Sequence, residues 1–170
     1  MIVSNINLGN NVNIDPSSLL NNVSVGDNTK IAMRCNIFGG PENILIIKSD
    51  SYIGMNSIIN GYAAKVIIGA HVSIAQNVNI MSDSGPNASI YFQRIFPILV
   101  GEIEIGDHSW IGASTIILPG VKLGRFCAVA ANSFVNKCFD DYSIIGGTPA
   151  RLIRKLSNSE IEKLKYDKIS

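Results

Sequence analysis

Few side chains in this sequence are suited to moving a proton near neutral pH. His71 and His108 are its two histidines, and Asp83 stands in a Ser82-Asp83-Ser84-Gly85 segment that suits either a turn or a carboxylate base. A catalytic zinc usually takes three protein ligands, and two histidines do not supply them without an Asp or a Cys. Cys35, Cys127 and Cys138 are odd in number and form no C-x-x-C pair, so neither a disulfide framework nor a zinc knot is implied and no metal is expected. Trp110 is the single tryptophan, a residue type that often packs between subunits. Lys137, Arg151 and Arg154 are either a solvated face or charge-assisted donors for phosphate.

The elements that must position these residues follow a period of six. From Ile105 the steps fall on Ile111, Ile117, Leu123, Val129 and Val135, and upstream on Ile68–Ile74–Ile80, Ile47–Ile53–Ile59, Val25–Ile31–Ile37 and Leu8–Ile14. Gly or Ala commonly follows the anchor, as at Gly106, Gly112, Gly69 and Ala75, and the fifth position is small or β-branched, as at Thr29, Ser51 and Ser109. Neither a 3.6-residue helix nor a two-residue meander gives this spacing. A parallel β-helix does: each hexad is a short strand and a turn, three hexads close a triangular coil, and the anchors fill the interior. The glycine after each anchor is expected to supply positive φ for the turn. Isoleucine occurs 28 times, as a core of stacked β-branched side chains requires. About six coils begin near residues 8, 25, 47, 68, 105 and 123. Stacking at the strand spacing of ~4.8 Å places His71 and His108 one above the other on an outer face.

Three stretches break the period. A small excursion lies at 38–43, an insertion at Asn60-Gly61-Tyr62, and a long loop over 81–104, the kind of departure that is usually functional. After a turn at Gly146–Ala150 and a basic stretch over 151–155, residues 158–165 read as a short helix, capped by Ser157 or Asn158. The chain is expected to form one all-β domain over 1–156, with the helix and tail of 157–170 attached to it. Its net charge is +1, with 16% charged and 46% hydrophobic residues, which argues against disorder and against a basic nucleic-acid surface. Lacking a leader in Met1–Asn10 and any apolar run near the ~18 residues of a membrane span, it reads as cytoplasmic.

The hexad array, the loop, IGDHSWIGASTIILPGVKLG (105–124) and IIGGTPARLIRK (144–155) together resemble the hexapeptide-repeat acyltransferases. Within them the chain is most similar to sugar acetyltransferases of the maltose, galactoside and polysaccharide type, over about residues 45–156. The resemblance implies a left-handed β-helix, a homotrimer, and acetyl-CoA in a cleft between neighbouring prisms. It also implies a sugar or nucleotide-sugar acceptor, with transfer to a sugar hydroxyl in surface-polysaccharide synthesis. By that likeness Asn60 falls where the family binds its acceptor, and Trp110 lies beside the acetyl-transfer site. Ala113 and Ala131 line the pantetheine arm, and Lys137, Arg151 and Arg154 lie near the coenzyme phosphates. The family's loop histidine is missing here: its position falls on Ser84 or Gly85. A hydroxyl nucleophile gains typically 10²–10⁴-fold from a positioned base, which leaves His108 or Asp83 as the catalytic candidates and Ser84 as an acceptor contact. An amine acceptor tolerates the loss better, so N-acetylation of an amino sugar stands as the alternative. A third reading is a non-catalytic trimer that has lost its chemistry.

Overall fold

A computed structural model describes residues 4–165. Met1–Val3 and residues 166–170, at the ends of the N-terminal segment and tail read above, lie outside the described residues.

The hexads close into three walls of parallel strands. The first wall runs Ile6–Leu8, Val23–Val25, Leu45–Ile47, Val66–Ile68, Ile103–Ile105 and Lys122–Leu123. The second runs Asn13–Ile14, Lys30–Ile31, Tyr52–Ile53, Ser73–Ile74, Trp110–Ile111, Ala128–Val129 and Ser143–Gly147. The third runs Leu19–Asn21, Asn36–Gly39, Ile58–Gly61, Asn79–Met81, Ile116–Ile117 and Phe134–Val135. The chain visits the walls in that order on each circuit, which makes six coils of a parallel β-helix. Anchors lie in register with anchors, Ile47 on Ile68 on Ile105 in the first wall and Ile53 on Ile74 on Ile111 in the second. These side chains are buried to 1% exposure or less and form one continuous hydrophobic column.

Corner chemistry explains the fifth position. There the strand ladder is interrupted, and a short inward side chain completes it by donating to a carbonyl of the next coil. Ser51 Oγ donates to Gly69 O (3.0 Å), Ser57 Oγ to Ala75 O (3.2 Å) and Ser109 Oγ to Gly124 O (3.1 Å). Cys127 takes the same place and its thiol meets Asp140 O at 3.3 Å. Burial pushes the Cys35 and Cys127 thiols above the ordinary cysteine range, so both are structural rather than reactive.

The glycines after the anchors do not work as expected from sequence. Positive φ falls two residues later, at Asn28, Asn56, His71, His108, Ser114 and Asn132 among others. What Gly106 and Gly112 provide is close approach: a Cβ there would meet Gly124 C and Ala131 N at 2.5 Å. The tight contact is with the backbone of the coil above, which cannot yield as a flexible side chain would.

All three interruptions of the period open at one corner, where the third wall passes to the first. The turn at 40–43 closes on itself through paired Gly40 and Asn43 backbone bonds. It packs under the insertion after Gly61, with Asn43 Nδ2 donating to Tyr62 O at 3.3 Å. Above them, what sequence reads as a loop begins and ends as an antiparallel hairpin, Asp83–Ser84 against Leu99–Val100, with a 3-10 turn at Phe92–Arg94. This arm exposes Ile90, Tyr91, Phe92, Ile95, Phe96, Leu99 and Val100.

At the other end, the turn read at Gly146–Ala150 is present at Thr148–Pro149, and the basic segment after it is a strand. Ala150–Lys155 returns antiparallel on Ser143–Gly147 and ends the second wall. The helix Asn158–Lys165 follows, with Ser157 as its cap. Ser157 Oγ accepts the Glu160 N–H at 3.3 Å while Glu160 Oε2 accepts the Ser157 N–H at 2.7 Å, a reciprocal capping box. Among the described residues no helix is long and apolar enough to cross a membrane.

Candidate active site

The corner that carries the insertions brings together two of the residues singled out from sequence. Asn60 is the penultimate residue of the third-wall strand Ile58–Gly61 and lies in register with Met81 of the next coil, two residues before Asp83. Asn60 Nδ2 donates to Asp83 Oδ1 at 3.1 Å, and Asn60 Oδ1 accepts the Tyr62 N–H at 2.9 Å. Both residues are half-buried, as is Ser84 beside them. Ser82 is fully buried, its hydroxyl accepting the Ala64 N–H at 3.2 Å, and so fixes the base of the arm to the corner beneath it. Sequence placed Asn60 and Asp83 in separate insertions. Their contact follows from stacking in register, which brings the two departures from the period one coil apart.

His108 lies on a different corner, between the first and second walls. Its ring stacks on His71 with centroids 4.7 Å apart and on Phe126 at 4.6 Å, with Tyr142 continuing the column 5.5 Å beyond Phe126. The stack expected from the repeat is therefore present, and it extends into aromatic residues that sequence reasoning had not singled out. Their common signal is the fourth place of the hexad. Asp83 and His108 accordingly belong to separate surfaces of one chain.

Trp110 projects from the second wall, 61% exposed, between Ser73 and Ala128 of the adjoining strands. One prism thus holds Trp110 on a wall and the Asn60–Asp83 pair at the opposite corner. Ala113 and Ala131 lie one above the other at the corner between the second and third walls, tied by the Asn132 N–H to Ala113 O bond of 2.9 Å.

The basic residues lie in two segments near the end of the repeat. Lys137 follows the last third-wall strand and its Nζ sits 5.4 Å from the centre of the Phe139 ring, whereas Arg151 and Arg154 are on the returning strand. Arg154 is held bidentately by Glu160, Nη1–Oε2 at 2.8 Å and Nη2–Oε1 at 2.9 Å. The guanidinium, helped by Ser157, pulls the Glu160 carboxyl down to about 2. Among the described residues Arg151 makes one side-chain bond, Nη1 to its neighbour Ala150 O at 2.9 Å. A cavity of about 700 Å³ lies elsewhere, between the last coils of the first wall and the helix, with Lys122, Phe139, Tyr142, Lys155 and Ile161 among its lining. It is lined by Tyr142 of the ring column but by none of the candidate catalytic, acceptor or coenzyme residues read from the sequence. Among the described residues no group of three His, Cys, Asp or Glu is arranged to hold a metal ion.

The family model for bacterial transferase hexapeptide repeats (six repeats) matches residues 102–137. The Saccharomyces cerevisiae protein YJL218W, named as an acetyltransferase, is 34% identical over 127 residues, covering 71% of this chain and 63% of its own length. A galactoside O-acetyltransferase of Lactococcus lactis is 29% identical over 103 residues, covering 61% of this chain and 49% of that protein. The chain thus spans less than two thirds of either relative. Among solved structures, the N-acyltransferase AntD from Bacillus cereus, in complex with dTDP and 3-hydroxybutyryl-CoA, aligns with a TM-score of 0.79 and 25% identity over 92% of this chain and 86% of AntD. The hexapeptide-repeat acetyltransferase VCA0836 of Vibrio cholerae, complexed with acetyl-CoA, aligns at 0.59 and 26% identity over 84% and 72%. The six-residue period wound around three walls and the family match over residues 102–137 show that this chain carries the hexapeptide repeats of the bacterial transferases, and solved acyltransferase structures share its shape over most of its length.

Proposed function

We propose that this protein is a coenzyme A-dependent acyltransferase that moves an acetyl group to a sugar hydroxyl, with Asp83 in the place of the absent loop histidine. The observation that carries the reading is the Asn60–Asp83 pair at the corner where every insertion opens. A half-buried carboxylate with one oxygen fixed is able to accept a hydroxyl proton while the oxygen attacks the thioester carbon and the coenzyme thiolate leaves. VCA0836 and AntD, which hold acetyl-CoA and an acyl-CoA, support the donor. This chain fits it in part. Ala113 and Ala131 leave a shallow edge for a pantetheine arm, and Arg151, with one side-chain bond among the described residues, offers donors for phosphate, while Arg154 is already neutralised by Glu160.

A homotrimer fits the separation of Trp110 from Asn60 and Asp83, because a site that uses both walls then draws on two subunits. The exposed Tyr52, Ile58, Trp110 and Ile116, and the apolar arm, are the surfaces such an assembly would cover. The acceptor is proposed as a sugar or sugar nucleotide, and surface-polysaccharide synthesis in the cytoplasm as the setting. A second reading, acylation of an amino sugar, is favoured by the likeness to AntD, an N-acyltransferase with dTDP bound. The test is to incubate the protein with acetyl-CoA and paired neutral and amino sugars or sugar nucleotides. Thiol release reports turnover, and hydroxylamine distinguishes the product, because an ester is cleaved and an amide survives. An ester product supports the first reading and an amide the second. Tight binding of coenzyme A with no transfer to any acceptor would instead favour a trimer without chemistry.

A further inference from the structure

Both ends of the Asn60 side chain are engaged by the protein itself. We infer that Asn60 is a positioning residue for Asp83 rather than a direct acceptor contact. This role rests on the acyltransferase reading above.

The orientation of the amide is fixed by its partners. A backbone N–H only donates and an ionised carboxylate only accepts, so Oδ1 must face Tyr62 and Nδ2 must face Asp83. Reversing the amide would set oxygen against oxygen and donor against donor. The Tyr62 bond in turn is anchored from the coil below, where Asn43 Nδ2 donates to Tyr62 O and Gly40 leaves room for that carbonyl: a Cβ there would approach it to 2.5 Å. Three successive coils thus hold one carboxylate oxygen in place.

Asp83 Oδ1 is the held atom, and Oδ2 has no protein hydrogen bond among the described residues. Oδ2 is then the oxygen that takes the acceptor proton. As the acceptor oxygen bonds to the acetyl carbon, the C–S bond breaks, and the thiolate recovers a proton from the Asp83 carboxyl or from water. The products are the acetyl ester and coenzyme A, with Asp83 ionised again.

A double-mutant cycle tests this. In the wild-type background Asn60→Ala should lower kcat about 10-fold with acceptor KM changed less than about 3-fold, because the lost interaction orients the base rather than binding the sugar. Asn60→Asp keeps the acceptor for the Tyr62 N–H but sets a second carboxylate against Asp83, and should be at least as slow. In the Asp83→Asn background, Asn60→Ala should cost nothing further. If Asp83→Asn abolishes turnover, acceptor affinity measured by calorimetry in that background takes its place and should be the same with and without Asn60→Ala. Equal losses in both backgrounds, a rise confined to KM, or weakened acceptor binding would overturn the positioning role. Absence of transfer by the wild-type protein would sink the acyltransferase reading itself, whereas normal wild-type transfer with additive variants sinks this role alone.

Discussion

Two kinds of corner divide the molecule. At the corner between the first and second walls every coil repeats the same turn, with a left-handed residue at Asn11, Asn28, Asp50, His71, His108, Phe126 and Tyr142. Their side chains stack into a ladder, Asn11 Nδ2 to Asn28 Oδ1 at 3.1 Å, Asn28 Nδ2 to Asp50 Oδ1 at 3.0 Å, and then the ring column. At the corner between the third and first walls the turn is replaced in three consecutive coils by insertions, the last of which grows into the arm. The difference shows where the repeat tolerates change. A corner whose backbone bonds the coil above and below cannot lengthen alone, whereas an insertion that stacks on another insertion keeps its neighbours. The polar pair proposed to support chemistry is found at the second kind of corner and the regular ladder at the first.

The sharpest contrast in stability should lie between the column and the arm. Ile111→Ala leaves a cavity in a fully buried stack and should cost about 2–5 kcal/mol in denaturant unfolding. Replacing residues 86–97 with a short turn should cost under about 1 kcal/mol, since surface-loop length has a weak effect on stability. Comparable losses would mean that the arm belongs to the folding core.

Gly112→Val tests the corner rule. The added Cβ would meet Ala131 N at 2.5 Å, and overpacking should destabilise by about 1–3 kcal/mol. Its φ is not in the left-handed region, so Gly112→Asn should also lose stability, as the space rather than the backbone angle is limiting.

The two arginines of the returning strand should separate in coenzyme binding. Arg151→Ala should raise the Kd for coenzyme A about 10-fold, with weaker salt dependence than the parent, while Arg154→Ala should change it by less than about 2-fold. The reverse order, read by calorimetry at two salt concentrations, would move the phosphates toward the helix.

The smallest effect concerns that helix. Glu160 has its folded value lowered by Arg154 and Ser157 to about 2, below the ordinary 4.5. The contact therefore contributes fully above about pH 4.5 and is lost as pH falls through about 2. Side-chain NMR of Ile161 across that range should show the helix leaving its capped state, and Glu160→Gln should remove the step.

The prism was legible in the sequence because each coil reports on the same constraint: Ile68 over Ile47 and Ile105 repeats one requirement for an interior β-branched side chain. The His71–His108 stack was legible for the same reason. The hairpin in residues 81–104 was not, since its apolar run of Ile90 to Val100 follows no period. Nor was the strand Ala150–Lys155, whose alternation is masked by Arg151, Arg154 and Lys155 on an edge with exposed apolar residues between them. The corner glycines were correctly located with the wrong reason, because sequence cannot separate a need for positive φ from a need for space. Asn60 and Asp83 were each visible, but their contact depends on register across an interrupted coil. Arg154 looked available for phosphate until Glu160, six residues on, was seen to occupy it.

The proposed base is the Asp83 carboxylate at the corner of insertions. Its role is tested most directly by the turnover of Asp83→Asn beside His108→Ala, with acetyl-CoA and the best neutral-sugar acceptor. Asp83→Asn should lower kcat about 10²-fold or more while His108→Ala stays within about 2-fold of wild type. A large loss in His108→Ala with Asp83→Asn near wild type would contradict that role and move the chemistry to the aromatic corner.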